Sequence, residues 1–262
     1  MVTEITSAVP WSQIHYIRVM LNTHQQFSDT ESLQRQFRSH PEYSLIHIPS
    51  FLDTHTAREL SEELDHIPLD QCKHFTRADS CMYEHNRTWE TPHAQQLIHY
   101  LHSSPFIMWL QSVTDTRDLI PDPHLVGAGY MKSFRGDSLK IHTDFNWNEQ
   151  LKLHRQLSLV IYLNDDWQSE WGGQLQFYAQ DRQRLLTEIP VGMGNCVIWN
   201  YNLRAYHGYP KPMQCPEHIS RKGIRVFYYV SNAQHRPTDP PHRSLYWYDD
   251  VTQTPYDQPW KK

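Results

Sequence analysis

Residues 141–147 read IHTDFNW and lead into the apolar run RQLSLVIYL. His142 and Asp144 stand two positions apart there. In an extended chain such residues point to the same face, so an imidazole and a carboxylate can aim at one point if Asp144 sits at the end of a strand. A third donor, His207 in NLRAYHGYP, lies 63 positions beyond Asp144 and follows the apolar segment NCVIWN. Two imidazoles and one carboxylate form the facial triad that holds non-haem Fe(II) in oxygenases and leaves the other coordination positions open. A substrate can chelate through two of those positions and O2 can take the last. His142, Asp144 and His207 are therefore the candidate catalytic residues and metal ligands. The chain carries 18 His, so one H-x-D pair proves little without elements to position it.

A basic residue strengthens the pattern. A dicarboxylate co-substrate such as 2-oxoglutarate needs a cation for the carboxylate remote from the metal. The planar fork of Arg serves this well, because it donates two parallel hydrogen bonds. In RKGIRVFYYV, Arg221 and Arg225 are four apart and share a strand face with Gly223, so either can do it. By the same alternation Tyr130, Lys132 and Trp199 are expected to line the interior, with Tyr130 among the cofactor-binding residues.

The elements that must hold these side chains divide the chain in two. The N-terminal third reads helical. Ser28 with Glu31 forms a capping box, and Leu33 and Phe37 share a face. SLIHIPSF (44–51) reads as an early strand. Asp53 or Thr54 caps a helix whose Ala57, Leu60, Leu64 and Ile67 keep a helical period. Thr91-Pro92 and Ser104-Pro105 each mark a helix start with an N-cap followed by Pro. From about residue 124 short β-branched and aromatic segments alternate with turn residues: HLVGAGYMKSF, SLKIHTDF, RQLSLVIYL, GGQLQFYAQ, NCVIWN and IRVFYYVSN. That spacing predicts an antiparallel sandwich or barrel. The expectation is one domain: helical support over 1–123, a β core over 124–232, and a Pro- and aromatic-rich tail over 233–262 that wraps the surface or a site mouth.

Bulk composition excludes several classes. With 262 residues, 39% hydrophobic and 13% aromatic, a sizeable core can form. The net charge of -5 argues against nucleic acid as a partner. Cys72, Cys81, Cys196 and Cys215 make no C-x-x-C pair and fit no zinc ribbon. They read as reduced thiols of a cytoplasmic protein. The N-terminus MVTEITSAVPWSQ has neither a basic n-region nor an apolar h-region, and no run is long enough to span a membrane.

Taken together, HTD, the distal HGYP and RKGIRVFYY resemble the 2-oxoglutarate- and Fe(II)-dependent dioxygenases, above all their prolyl-4-hydroxylase-like branch. GDSLKIHTDFN, RQLSLVIYLNDDW and EWGGQLQFY match that branch's middle in order and spacing, and the resemblance covers roughly residues 43–232. It implies a double-stranded β-helix (jelly-roll, cupin-like) barrel, mainly β with supporting helices. It implies Fe(II), 2-oxoglutarate and O2 as cofactors and co-substrates, held by His142, Asp144 and His207. It makes Arg221 the anchor for 2-oxoglutarate and lets Arg225 project closer to the metal, towards substrate. The implied reaction is hydroxylation of an unactivated C–H of an amino acid, a peptidyl residue such as proline, or a small natural product, with release of succinate and CO2. The alternatives are a cupin-like metalloenzyme that uses no 2-oxoglutarate, and a metal-binding barrel without turnover.

Overall fold

The structure, a computed structural model, describes residues 29–40, 42–77, 80–231 and 239–246. Along the chain come α1 (Thr30–Phe37), β1 (Leu45–Ile48), α2 (Thr54–His66), β2 (Lys73–Arg77), β3 (Ser80–His85), α3 (Pro92–Leu101), α4 (Ser104–Thr114) and β4 (Ile120–Pro121). There follow β5 (Gly129–Ser133), β6 (Leu139–Thr143), β7 (Trp147–Asn148), β8 (Leu153–Tyr162), β9 (Leu175–Tyr178), β10 (Leu185–Ile189), β11 (Cys196–Asn200), β12 (Tyr206–Tyr209), β13 (Arg221–Val230) and β14 (Leu245–Tyr246).

These strands make two antiparallel sheets. The larger runs β1-β11-β8-β13-β5-β3-β2, with β4 beside β13 and β7 beside β8; the smaller runs β10-β9-β12-β6-β14. From β5 onward the chain crosses between sheets, with β5, β8, β11 and β13 in the larger and β6, β9, β10 and β12 in the smaller. The fold is a mainly β jelly-roll with supporting helices. Alternation along each strand of the larger sheet separates two cores. Leu157, Leu159 and Ile161 of β8, with Ile198, Ile224 and Val226, join the apolar faces of the helices. Val160, Tyr162, Val197 and Trp199 pack instead on Leu175 and Phe177 of the smaller sheet. Both faces are thus covered, which is why β8 reads as a nearly continuous apolar run.

Local signals place most helix ends. The Asp53 side chain caps α2 by accepting from Thr56 N at 3.0 Å, and Ala57, Leu60 and Leu64 form its buried face. Thr91 caps α3, with Pro92 as its first residue. In α4 the cap is Ser103 rather than Ser104. Ser28 lies outside the described residues; Asp29 caps α1 by accepting from Ser32 N at 2.9 Å. The β2–β3 hairpin interrupts the expected helical third. Lys73, His74 and Thr76 of β2 are exposed, so that strand carries no strong apolar alternation. No helix among the described residues is long and apolar enough to cross a membrane.

His102, just after α3, has its Nε2 buried without a partner. Burial, outweighing the opposite pull of Asp122, pushes its pKa down to about 4, against about 6.5 in an unfolded chain. Between those values the unfolded chain binds a proton that the folded chain refuses. Stability from this residue is therefore intact above about pH 6.5 and falls as the pH drops towards 4, by no more than about 3 kcal/mol. Thermal denaturation across that window is expected to show a flatter decline in His102→Gln than in the parent. Parallel declines would assign the loss to other groups.

Candidate metal centre

His142 lies in β6 and His207 in β12, and the two are direct cross-strand partners. Such partners project to the same side, and the ring centroids stand 4.6 Å apart. Asp144 follows β6 by one residue and turns to the same point. Its Oδ1 is 3.7 Å from His142 Nε2 and its Oδ2 is 3.6 Å from His207 Nε2. One donor atom from each residue lies within 4.8 Å of the others, and among the described residues no other group of three His, Cys, Asp or Glu does this. His207 follows β11, as expected from its place after NCVIWN, and is itself a residue of β12.

The surroundings fix the imidazoles. His142 Nδ1 donates to Lys140 O and His207 Nδ1 to Ala205 O, both at 2.8 Å. A carbonyl only accepts, so in each neutral ring the Nε2 facing Asp144 carries the lone pair. This is the outer-shell arrangement that sets ligand tautomers in metal sites. Phe177 stacks on His207 at 5.5 Å and Trp199 meets it edge-on at 5.1 Å. Burial pushes the His207 pKa down to about 4, against the opposing pull of Asp144, so this ring is neutral at pH 7. The Oδ–Nε2 gaps exceed a hydrogen bond and can be bridged by one ion with ligand bonds of about 2.1 Å. The donor set and its tautomers fit a divalent transition metal.

One partner of this cluster carried no signal in the sequence motifs. Arg155, near the start of β8, is fully buried and donates from Nη2 to Asp144 Oδ2 at 2.8 Å. Its guanidinium lies 3.4 Å from the ring centroid of Phe227 and 4.5 Å from that of Phe145, and it also bonds Ser158 Oγ. Burial alone would raise the Asp144 pKa; Arg155, with the imidazoles, outweighs it and holds the carboxyl well below the usual range. Since His207 is neutral at pH 7, Arg155 is the cation that matters there.

Arg221 is buried, with a relative exposure of 4%, and has no acidic partner among the described residues. Its Nε donates to Gly173 O at 2.7 Å and its Nη2 to Tyr162 Oη at 3.1 Å; the guanidinium lies over the rings of Tyr162 and Tyr209. Tyr162 shares its apolar cluster with Phe177 and Trp199, the neighbours of His207. Gly173 is needed here: at φ +81° a Cβ would come 2.7 Å from Met213 Sδ and 3.0 Å from Arg221 Cδ. The long link from β12 to β13 folds back onto the 134–137 turn through Gly136 N to Met213 O and Met213 N to Asp137 O, so it leaves the head of β13 in place.

Arg225 shares the inner face of β13 but is already paired. It donates to Gly127 O at 2.9 Å and to Glu84, and with His142 and Asp144 it lines a cavity of ≈ 430 Å3. Arg243, Ser244 and Tyr246 of the tail line the same cavity, and the Tyr246 ring stacks on His142 at 5.0 Å. The described part of the tail thus lies beside the site; residues 232–238 and 247–262 lie outside the described residues.

Tyr130 and Lys132 are corrected. The inward residue of β5 is Met131, which packs with Tyr162 and Trp199. On either side of it, Tyr130 faces the helices and donates to Glu63 Oε1 at 2.7 Å, and Lys132 Nζ bonds the carbonyls of Leu64 and Ile67. Both are buried, but on the helix side of the sheet, and neither reaches the space between the two sheets. Trp199 does.

Residues 128–229 match the sequence model of the 2OG-Fe(II) oxygenase superfamily. No curated protein matches the chain in sequence. Among solved structures it is similar to a Pseudomonas putida prolyl-4-hydroxylase, at 14% identity and TM-score 0.57, over 76% of this chain and 100% of that one. It is also similar to a Trichoplax adhaerens prolyl hydroxylase solved with a hypoxia inducible factor oxygen degradation domain peptide, at 16% identity and TM-score 0.53, over 85% and 94%. A third is HygX from Streptomyces hygroscopicus, solved with nickel, 2-oxoglutarate and hygromycin B, at 12% identity and TM-score 0.51, over 78% and 94%. At these identities the structural likeness speaks for the fold. The sequence match bears out the resemblance to the 2-oxoglutarate/Fe(II) oxygenases, and the structural likeness adds a fold shared with prolyl-4-hydroxylases.

Proposed function

We propose that this prolyl-4-hydroxylase-like chain is a dioxygenase that uses Fe(II), 2-oxoglutarate and O2 to hydroxylate an unactivated C–H bond. Its substrate is an amino acid, a peptidyl residue such as proline, or a small natural-product molecule, and succinate and CO2 are released. The carrying observation is a buried cation, Arg221, that has no acidic partner among the described residues and is linked through Tyr162 to the aromatic cluster around a two-imidazole, one-carboxylate group. A protein interior keeps an unpaired charge only at a cost, and a ligand carboxylate removes it.

His142, Asp144 and His207 would hold the ferrous ion. Bound there, Fe(II) supplies O2 activation and the oxidising step. The chain's own residues do the rest. Lys140 O and Ala205 O hold the imidazole tautomers, and Arg155 keeps Asp144 ionised and aimed. Arg221 and the Tyr162 hydroxyl offer donors to the remote carboxylate of 2-oxoglutarate. Phe177 and Trp199 shield one side of His207 from water. The cavity that opens on His142 and Asp144, walled by Phe145, Trp147, Phe227 and Tyr246, receives the substrate. The buried Arg221 favours this reading over a cupin-like enzyme without 2-oxoglutarate, and the cavity at the triad supports turnover over a barrel without it.

A mass-spectrometric screen of amino acids, peptides and small metabolites tests the reading: gain of one oxygen atom must accompany succinate in equal amount. Oxygen gain without succinate would favour the cupin-like alternative. Arg221→Ala is expected to raise the 2-oxoglutarate concentration for half-maximal succinate formation about 100-fold, the loss of two or so charge-assisted hydrogen bonds. Arg225→Ala should raise it far less, since Glu84 already occupies that guanidinium. The opposite ranking would move the anchor to Arg225.

A further inference from the structure

A second cleft, of ≈ 540 Å3, lies on the opposite face of β3 from the triad cavity. Met82 and Glu84 point into the triad cavity, while His85, one position on, lines the second cleft. Glu59, Glu62, Glu63 and His66 of α2 form one side, Glu90 and His93 the other, and no Lys or Arg is among the lining residues. Of the four carboxylates, Glu63 is fully used: it accepts from His93 N, Ala94 N and the Tyr130 hydroxyl. Among the described residues Glu59 pairs only with His55 and His93, at 3.5 and 3.7 Å, and Glu90 stands 3.4 Å from Arg87 Nε.

His85 gives the cleft a second feature. It is 3% exposed, yet neither ring nitrogen has a hydrogen-bond partner. Its register partner in β5 is Tyr130, so the ring stands on the helix-facing side beside the Tyr130–Glu63 bond. Native interiors rarely leave a donor and an acceptor both unmet on one buried side chain.

We propose that this cleft binds an organic cation with more than one amino group, one amine bonding His85 while others meet Glu59 and Glu90. A bare metal ion fits poorly, because the carboxylates and imidazoles here do not converge as those of the triad do. They surround a space larger than an ion. An extended amine matches spaced carboxylates, and its methylene stem matches the apolar flanks of Ile67, Pro68 and Pro92.

The test is calorimetric titration of the full chain with spermidine at low salt, with Mg2+ as the control cation, alongside NMR of the histidine ring signals. His85→Phe assigns the His85 signal. Single-site binding is expected, with movement of that signal. Affinity should fall at least about tenfold in Glu59→Gln/Glu90→Gln, whose changes lie on a half-buried and an exposed side chain outside the apolar core. His142→Ala should bind spermidine as the parent does, which separates this site from the metal centre. Equal affinity in the double variant, Mg2+ binding as tightly, or a stationary His85 signal would overturn the proposal.

Discussion

Asp144→Ala is expected to abolish the weak visible charge-transfer band that Fe(II) and 2-oxoglutarate give under anaerobic conditions, and succinate formation with it. The fall should exceed the roughly 100-fold that loss of an outer-shell partner costs a metal site, because the substitution removes a donor itself. His142→Ala should behave alike. Alanine at 144 also leaves Arg155 as a buried charge without its carboxylate, so a folding defect could imitate loss of metal. Asp144→Asn separates the two: its side-chain oxygen still accepts from Arg155, while its neutral amide is a poor ligand. A band that survives in both Asp144→Asn and His142→Ala would remove these residues from the metal centre.

Arg155→Met carries the next largest effect, and it is read on the metal-free protein. The buried pair Arg155–Asp144 is a charge-assisted bond at 2.8 Å inside a wall of Phe145 and Phe227. Methionine fills much of the volume but leaves the carboxylate unpaired. Breaking one side of a buried pair costs about 3–5 kcal/mol. A divalent ion at the triad would supply the missing positive charge. The thermal midpoint of Arg155→Met should therefore lie well below that of the parent without metal, and rise more than the parent's when Fe(II) or Ni(II) is added anaerobically. Equal midpoints without metal would show that Asp144 does not depend on Arg155. A low midpoint that metal fails to raise would show that the charge cannot be replaced from the triad side.

The sequence by itself determined which metal-ligating side chains could meet and the class of the fold. An H-x-D pair at the end of a strand must present both side chains on one side, because the strand period is two residues. The apolar runs of β5, β6, β8, β9, β11 and β13 were legible because their strands are buried or half-buried and bounded by turn residues. The caps Asp53 and Thr91 were legible because capping is local.

What needed tertiary structure was whatever depends on the other chain segment in a contact. The phase of β5 is an example: alternation fixes that Tyr130 and Lys132 share a face, but only pairing with β3 and β13 decides that this face meets α2 and not the barrel. Arg155 is another. An arginine heading an apolar strand looks like a solvated charge, and only the approach of Asp144 from the other sheet makes it a buried partner. The distinction between Arg221 and Arg225 is the same in kind. Both lie on the inner face of β13 by periodicity, yet Glu84 of the β2–β3 hairpin neutralises one and, among the described residues, nothing acidic reaches the other. Periodicity sets which residues share a face; long-range register and packing set what that face meets.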